Sequence, residues 1–185
     1  MTPALEAAYG EPHRRYHTRA HIEACLALLS SRSDLSEVER RRLEWAIWWH
    51  DAIYDPRAAD NEVRSAELAG RELPGVGASV EDVEEVMRLI RLTAGHEVVP
   101  GDRLGAILVS IDLAVLGAEP AAYDAYAREV REEYSHAPDA VWQAGRAAVL
   151  QRFLEAPVIL PDPELRAALE TSARANLARE LTGLR

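Results

Sequence analysis

The apolar residues of this chain recur with the spacing of α-helices almost from end to end, and this pattern constrains the fold more than any other feature. Between residues 18 and 31, for example, His21, Cys25 and Leu29 are four residues apart and share one helical face. Sustained alternation of apolar and polar residues, which is typical of half-buried strands, is absent. The sequence therefore predicts an all-α protein built as a bundle of helices.

Helix boundaries are marked by residues that are typical of helix ends. Ser36 and Glu39 can form a capping box, in which each side chain accepts a hydrogen bond from a backbone amide of the other residue. Asp162 followed by Pro163 is typical of an N-cap and a first helical residue. Gly95 is the predicted end of the fourth helix. The predicted helices span residues 18–31, 36–51, 60–73, 79–95, 102–116, 120–135, 139–156 and 163–182.

The composition fits one globular domain over residues 1–185. Of the 185 residues, 48% are hydrophobic, so a core can form without disulfides. Cys25 is the single cysteine, and its apolar neighbours indicate a buried thiol in a reducing compartment.

Charge and hydropathy exclude several functional classes. The formal net charge of -10 argues against binding of a nucleic acid polymer, because phosphate contacts dominate that affinity. The N-terminus lacks a signal-peptide pattern, and no run approaches the roughly 18 apolar residues of a membrane helix. We therefore expect a cytoplasmic protein without a membrane partner. The chain contains no lysine, which excludes a lysine Schiff base and a P-loop lysine.

The dipeptide His50-Asp51 interrupts an apolar helical stretch. An imidazole and a carboxylate buried there without partners would be strongly destabilising, so a bound metal ion is expected. His21 and Asp112 also lie on apolar helical faces. Two imidazoles and two carboxylates suit one divalent transition metal or Mg²⁺ in octahedral geometry, with water at the other positions. The predicted metal ligands are His21, His50, Asp51 and Asp112.

Read in order, these four ligands resemble the H…HD…D signature of the HD-domain metal-dependent phosphohydrolases. Matching flanks extend the resemblance to a small bacterial branch of predicted HD phosphohydrolases, over nearly the whole chain. The flanks are Tyr16-His17-Thr18-Arg19-Ala20-His21, His50-Asp51-Ala52-Ile53-Tyr54, Asp60-Asn61-Glu62 and Arg131-Glu132-Glu133-Tyr134. The resemblance implies an HD-domain helical bundle that hydrolyses a phosphate ester or anhydride.

The resemblance also implies a mechanism. The ion, which would be Mn, Co, Mg, Fe, Ni or Zn, lowers the pKa of bound water and offsets charge on the phosphate oxygens. Asp51 would orient or deprotonate the attacking water. His17 resembles the histidine of cyclic-nucleotide phosphodiesterases that protonates the leaving oxygen, with helix capping or substrate contact as alternatives. Glu62 would orient water, although an acidic residue also suits the first turn of a helix.

Five residues are candidates for substrate binding, and two of them are arginines near His17. Arg15 and Arg19, together with Arg14, form a cationic patch that suits a phosphate group, with a solvated surface as the alternative. Asn61 would bind a water on the metal or shape its turn.

The other two candidates are His96 and Arg131. His96 would contact the substrate or support a ligand, or simply lie on the surface. Arg131 matches a family position, yet an internal salt bridge explains it equally well. Because His96 is the one histidine between Asp51 and Asp112, whereas dinuclear members of the family have two, we predict a single metal ion.

These features predict a small phosphorylated substrate, with a nucleotide as the expected class. Two alternatives stay open. A dinuclear iron oxygenase, a chemistry that some HD-fold proteins perform, would need more histidine ligands than this chain offers. A regulatory module would keep the metal as a structural clamp and would turn over no phosphate substrate.

Overall fold

The computed structural model describes residues 3–184, with side chains from Leu5 onward. These residues form nine α-helices and two 3₁₀ helices and include no strand, so the all-α prediction is confirmed. The α-helices are α1 (Pro3–Ala8), α2 (Arg19–Ser30), α3 (Glu37–Trp49), α4 (Asn61–Glu72), α5 (Val80–Leu92), α6 (Arg103–Asp112), α7 (Pro120–Glu133), α8 (Asp139–Glu155) and α9 (Pro163–Gly183). The 3₁₀ helices, Leu73–Val76 and Leu113–Gly117, follow α4 and α6.

The chain divides into two compact units, with the boundary inside α6. The first unit ends at Val109 and the second begins at Ser110. A single domain over the whole chain therefore stays a prediction. Within residues 3–184, no one helix has both the length and the apolar character to cross a membrane. One pair of segments passes when the two are taken together, by length and composition alone, and the chain bends by 105° between them. The pair is Arg103–Gly117 and Pro120–Glu133.

Helix α3 is the central helix of the first unit and packs against α2, α4 and α5. The predicted capping box fixes its start: the Ser36 hydroxyl accepts from the Glu39 amide at 3.3 Å, and the Glu39 carboxylate accepts from the Ser36 amide at 2.8 Å. The apolar stripe that follows is fully buried and consists of Leu43, Ala46 and Ile47. Because His50 continues this stripe, α3 delivers its imidazole into the core.

Two helix ends differ from the prediction. Helix α5 ends at Leu92 rather than Gly95, and His96 is the residue that adopts the left-handed conformation, with φ of 58° and its amide bonded to the Leu92 carbonyl. Helix α6 tightens into a 3₁₀ helix after Asp112. Gly117 ends that 3₁₀ helix, and a Cβ there would lie 2.6 Å from Cβ of Leu169 on α9. The backbone therefore approaches α9 more closely than a side chain would allow.

A buried charged network joins three helices of the second unit. Arg146 on α8 donates to both carboxylate oxygens of Glu180 on α9, at 2.7 and 2.9 Å, and its guanidinium lies over the ring of Tyr126 on α7. The Tyr123 hydroxyl also donates to Glu180. Burial, followed by the hydrogen bond to Glu180, raises the pKa of Tyr123, so the phenol stays a hydrogen-bond donor.

Replacing Glu180 with alanine is expected to lower the free energy of unfolding by about 3–5 kcal/mol, because the Arg146 guanidinium would stay buried without its counter-charge. Urea unfolding followed by circular dichroism measures this change. The matched control is Asp124→Ala, which breaks an exposed pair with Arg179 between the same two helices, α7 and α9. The control substitution should lower the free energy of unfolding by about 0–1 kcal/mol. Equal losses of unfolding free energy in the two variants would contradict the claim that burial of Arg146 makes its ion pair the more important one.

Candidate metal centre

Three of the four predicted metal ligands converge in the first unit. His21 comes from α2, His50 caps the end of α3, and Asp51 begins the turn that follows. One ligand atom from each lies within 4.8 Å of the other two. Within residues 3–184, no other group of His, Cys, Asp and Glu side chains converges in this way.

The distances between these atoms fit a shared divalent ion. His21 Nε2 lies 3.3 Å from His50 Nε2, and His50 Nε2 lies 3.1 Å from Asp51 Oδ2. Ligand atoms about 2.0–2.2 Å from one ion, at angles of roughly 90–110°, are about 2.8–3.6 Å apart. The third distance, from His21 Nε2 to Asp51 Oδ2, is 3.8 Å and slightly wider. The donor set of two imidazoles and one carboxylate thus fits the predicted metal.

The tautomer of His50 favours metal binding. Its Nδ1 lies 2.9 Å from the Ile47 carbonyl oxygen. Because a carbonyl only accepts, Nδ1 carries the hydrogen, and the lone pair of Nε2 is directed toward His21 and Asp51. A ring nitrogen bonded to a backbone carbonyl, with the other nitrogen facing the ion, is typical of metal-ligating histidines.

The Asp51 side chain is held in its charged form. Burial favours the neutral acid, but the imidazoles of His50, His17 and His21, when protonated, outweigh burial and hold the pKa of the Asp51 carboxyl below its ordinary value. The carboxylate is the form that binds a cation. The Asp51 side chain is 15% exposed, so the cluster is nearly closed to solvent.

Two buried side chains that the sequence did not assign to the site adjoin the cluster. The Cys25 sulfur lies 3.8 Å from each ring nitrogen of His21, one helical turn away on α2. The Tyr9 hydroxyl donates to the Trp48 carbonyl at 2.8 Å. Burial, followed by the Asp51 charge, raises the pKa of Tyr9 well above its ordinary value, so the phenol remains protonated.

Asp112 is the fourth predicted ligand. It is the last residue of α6, half-buried, and belongs to the second unit. Its place among the ligands therefore stays a prediction.

His17, the candidate general acid, belongs to the segment between α1 and α2. Its ring stacks on Tyr54 with centroids 4.3 Å apart and lies 6.2 Å from the His21 ring. Its charge also acts on Asp51. The structure therefore brings His17 to the edge of the metal cluster, half-buried.

Glu62 and Asn61 begin α4, and both are half-buried. Asn61 accepts from the Asp55 amide at 3.0 Å and donates to the Asp55 carbonyl at 2.9 Å. These bonds match the alternative in which Asn61 shapes the turn after the HD pair. Glu62 lies in the first helical turn, where its charge is favourable for the helix. A catalytic role for Glu62 stays a prediction.

The arginine candidates near His17 are both exposed, and both have contacts within the protein. Arg19 pairs with Glu6 and with Glu23 at 2.7 Å, so acidic neighbours balance its charge. Arg15 donates to the carbonyls of Pro12 and Arg14, at 2.8 and 2.9 Å.

The two remaining substrate candidates have structural contacts. Arg131 donates to the carbonyls of Tyr134 and Ala137 and to the Asp139 carboxylate, and so links α7 to α8. These contacts match the salt-bridge alternative. His96 is half-buried in the loop after α5, where its left-handed backbone ends the helix. Substrate contact by either residue stays a prediction.

We found no match for this chain among protein-family models, curated proteins or solved structures.

Proposed function

We propose that this chain is a metal-dependent phosphohydrolase of the HD type, acting on a small phosphorylated molecule such as a nucleotide. The convergence of His21, His50 and Asp51 within 4.8 Å carries the proposal. His21 comes from a different helix from the adjacent His50 and Asp51, the three residues follow the order of the H…HD part of the signature, and their donor atoms suit a divalent ion.

His21, His50 and Asp51 would hold the ion, with Asp112 as the predicted fourth ligand. When bound, a divalent ion lowers the pKa of water and offsets the negative charge that develops on phosphate oxygens. Bond cleavage then requires a group that accepts a proton from the attacking water and a group that donates one to the leaving oxygen.

Asp51 and His17 would fill these two roles. Asp51 stays a carboxylate, and its Oδ2 faces both ligand histidines, which leaves Oδ1 as a proton acceptor for the attacking water. His17 would hold a proton at a ring nitrogen and donate it to the leaving oxygen. Stacking on Tyr54 supports this role because it limits rotation of the imidazole.

Recognition of the substrate phosphate would fall to the segment before α2. Arg15 is exposed there, two residues from His17, and its guanidinium can bind a phosphate through two parallel hydrogen bonds. Arg19 would contribute positive charge once the substrate phosphate replaced one of its carboxylate partners. A small anion is compatible with the net charge of -10, because it responds to the local site more than to the whole protein.

The test is release of inorganic phosphate from a panel of nucleoside mono-, di- and triphosphates and non-nucleotide phosphate esters. Protein loaded with Mn²⁺ or Co²⁺ is compared with the same protein after chelation and dialysis. We expect release from at least one substrate class only in the loaded protein. Nucleoside and nucleotide products, separated by chromatography, then identify the bond that is cut.

Two outcomes would contradict the proposal. One is the absence of release across the panel although bound metal is measured in the protein. The other is release that persists at full rate after chelation.

A further inference from the structure

We infer that Arg14 is a positioning residue for the metal centre: its guanidinium fixes the backbone at Asp51 relative to the segment that carries His17. This inference rests on the proposed metal site. The sequence groups Arg14 with two exposed arginines as a phosphate patch. In the structure, however, Arg14 is 3% exposed and its side chain is fully buried.

The hydrogen bonds of Arg14 join two segments that are far apart in the sequence. Nη1 donates to the Asp51 carbonyl at 2.7 Å and to the His17 carbonyl at 3.0 Å. Nη2 donates to the Ala52 carbonyl at 3.2 Å, and Nε donates to the Glu11 carboxylate at 2.9 Å. One side chain therefore holds the backbone of the proposed base and of the proposed acid.

Aromatic rings fix the guanidinium from the sides. Its central carbon lies 5.2 Å from the centroid of the Tyr9 ring and 5.4 Å from that of the Tyr54 ring. Tyr9 also binds the Trp48 carbonyl in the last turn of α3, and Tyr54 also stacks on His17. The contacts of Arg14 thus continue into the elements on either side of the cluster.

Lysine cannot reproduce these contacts. An arginine side chain carries five N–H donors in a rigid plane, whereas an ammonium group has three donors on one atom. The Arg14 donors reach three carbonyls and a carboxylate from three different nitrogens. Arg14→Lys keeps the positive charge but loses at least one of the bonds to Asp51, Ala52 or His17. We therefore expect geometry, rather than net charge, to change at the metal centre.

The experiment compares Arg14→Lys with Arg174→Lys. Arg174 is a matched control because its guanidinium also donates to one glutamate, Glu170, and to three backbone carbonyls, those of Leu154, Ala156 and Pro157, but in the second unit. Mn²⁺ affinity is measured by calorimetry, and the visible absorption spectrum of the Co²⁺-loaded protein reports the ligand geometry. Both are recorded below the unfolding transition of each variant.

We expect Arg14→Lys to weaken Mn²⁺ binding by about 10–100-fold, the range found when groups that orient metal ligands are replaced. We also expect it to alter the Co²⁺ spectrum. Arg174→Lys should lower stability while leaving the affinity and the spectrum unchanged. A purely structural role for Arg14 predicts that the two variants behave alike, and that result would overturn the inference.

A second measurement needs no substitution and so does not depend on the folding of Arg14→Lys. The ¹H–¹⁵N resonance of the Arg14 Nε–H is followed in the unsubstituted protein as diamagnetic Zn²⁺ is added. It should shift with the same dissociation constant as metal binding, while the Arg174 resonance stays in place. An unchanged Arg14 resonance at saturating Zn²⁺ would overturn this inference but not the proposed function. Failure of the unsubstituted protein to bind any divalent ion would overturn the proposed function and this inference with it.

Discussion

Replacing Asp51 with asparagine is expected to reduce metal-dependent phosphate release by about a thousandfold, equivalent to about 4 kcal/mol of transition-state stabilisation. The amide keeps the size of the side chain but removes the negative charge beside His21 and His50. The remaining amide oxygen is also too weakly basic to accept a proton from water. Both the Mn²⁺ affinity and the rate should therefore fall, and calorimetry and phosphate release measure them separately.

Asp55→Asn is the matched control for this substitution. Asp55 is an exposed carboxylate four residues further along the same turn, and it accepts a hydrogen bond from the Arg57 amide. An asparagine oxygen can accept the same bond, so the control should keep its metal affinity and its rate. If Asp51→Asn bound Mn²⁺ as tightly as the unsubstituted protein, Asp51 would not be a ligand. Loss of the folded state in Asp51→Asn, with no turnover by the unsubstituted protein, would favour a structural metal clamp.

Replacing His17 with alanine should separate the two halves of the proposed chemistry. We expect the rate on alkyl phosphate esters to fall by about 10²–10⁴-fold, the usual contribution of a positioned general acid. The rate on esters with a p-nitrophenolate leaving group should fall much less, because that group departs without protonation. Mn²⁺ affinity should stay unchanged, since His17 is not among the predicted ligands.

The control for this experiment is a histidine that contacts the same tyrosine. His13 is exposed, lies parallel to the Tyr54 ring at 6.3 Å and binds the Tyr54 carbonyl at 2.7 Å. His13→Ala should leave both classes of substrate unaffected. A His17→Ala variant that kept its full rate on alkyl esters would contradict the acid role. Equal losses in the two variants would assign the effect to disturbance of Tyr54 instead.

Sequence reasoning succeeded where short-range rules determine the structure. The capping box of Ser36 and Glu39 depends on residues three apart, and the burial of His50 follows from the helical spacing of Leu43, Ala46 and Ile47. The convergence of His21 with the HD pair was predicted differently, from the cost of leaving buried polar groups without partners.

The sequence was less informative where contacts are distant or the backbone is unusual. Arg14 binds carbonyls 37 and 38 residues away, and no periodic pattern distinguishes such an arginine from an exposed one. His96 takes a left-handed conformation that glycine usually occupies, and for that reason the sequence pattern predicts the helix end at the neighbouring Gly95. Asp112 is far from the HD pair in the sequence, and local patterns do not determine a contact over such a separation.

The hydrogen bond from His50 to the Ile47 carbonyl has a consequence for the choice of metal. The imidazole is oriented by its own helix, and the Asp51 backbone is held by protein contacts, so the positions of these two groups do not depend on an ion alone. In zinc fingers, by contrast, binding of the ion supplies the free energy of folding. We therefore expect a chain organised in this way to exchange one divalent ion for another without refolding. The ion that it carries in a cell would then follow from metal supply and ligand chemistry rather than from the fold.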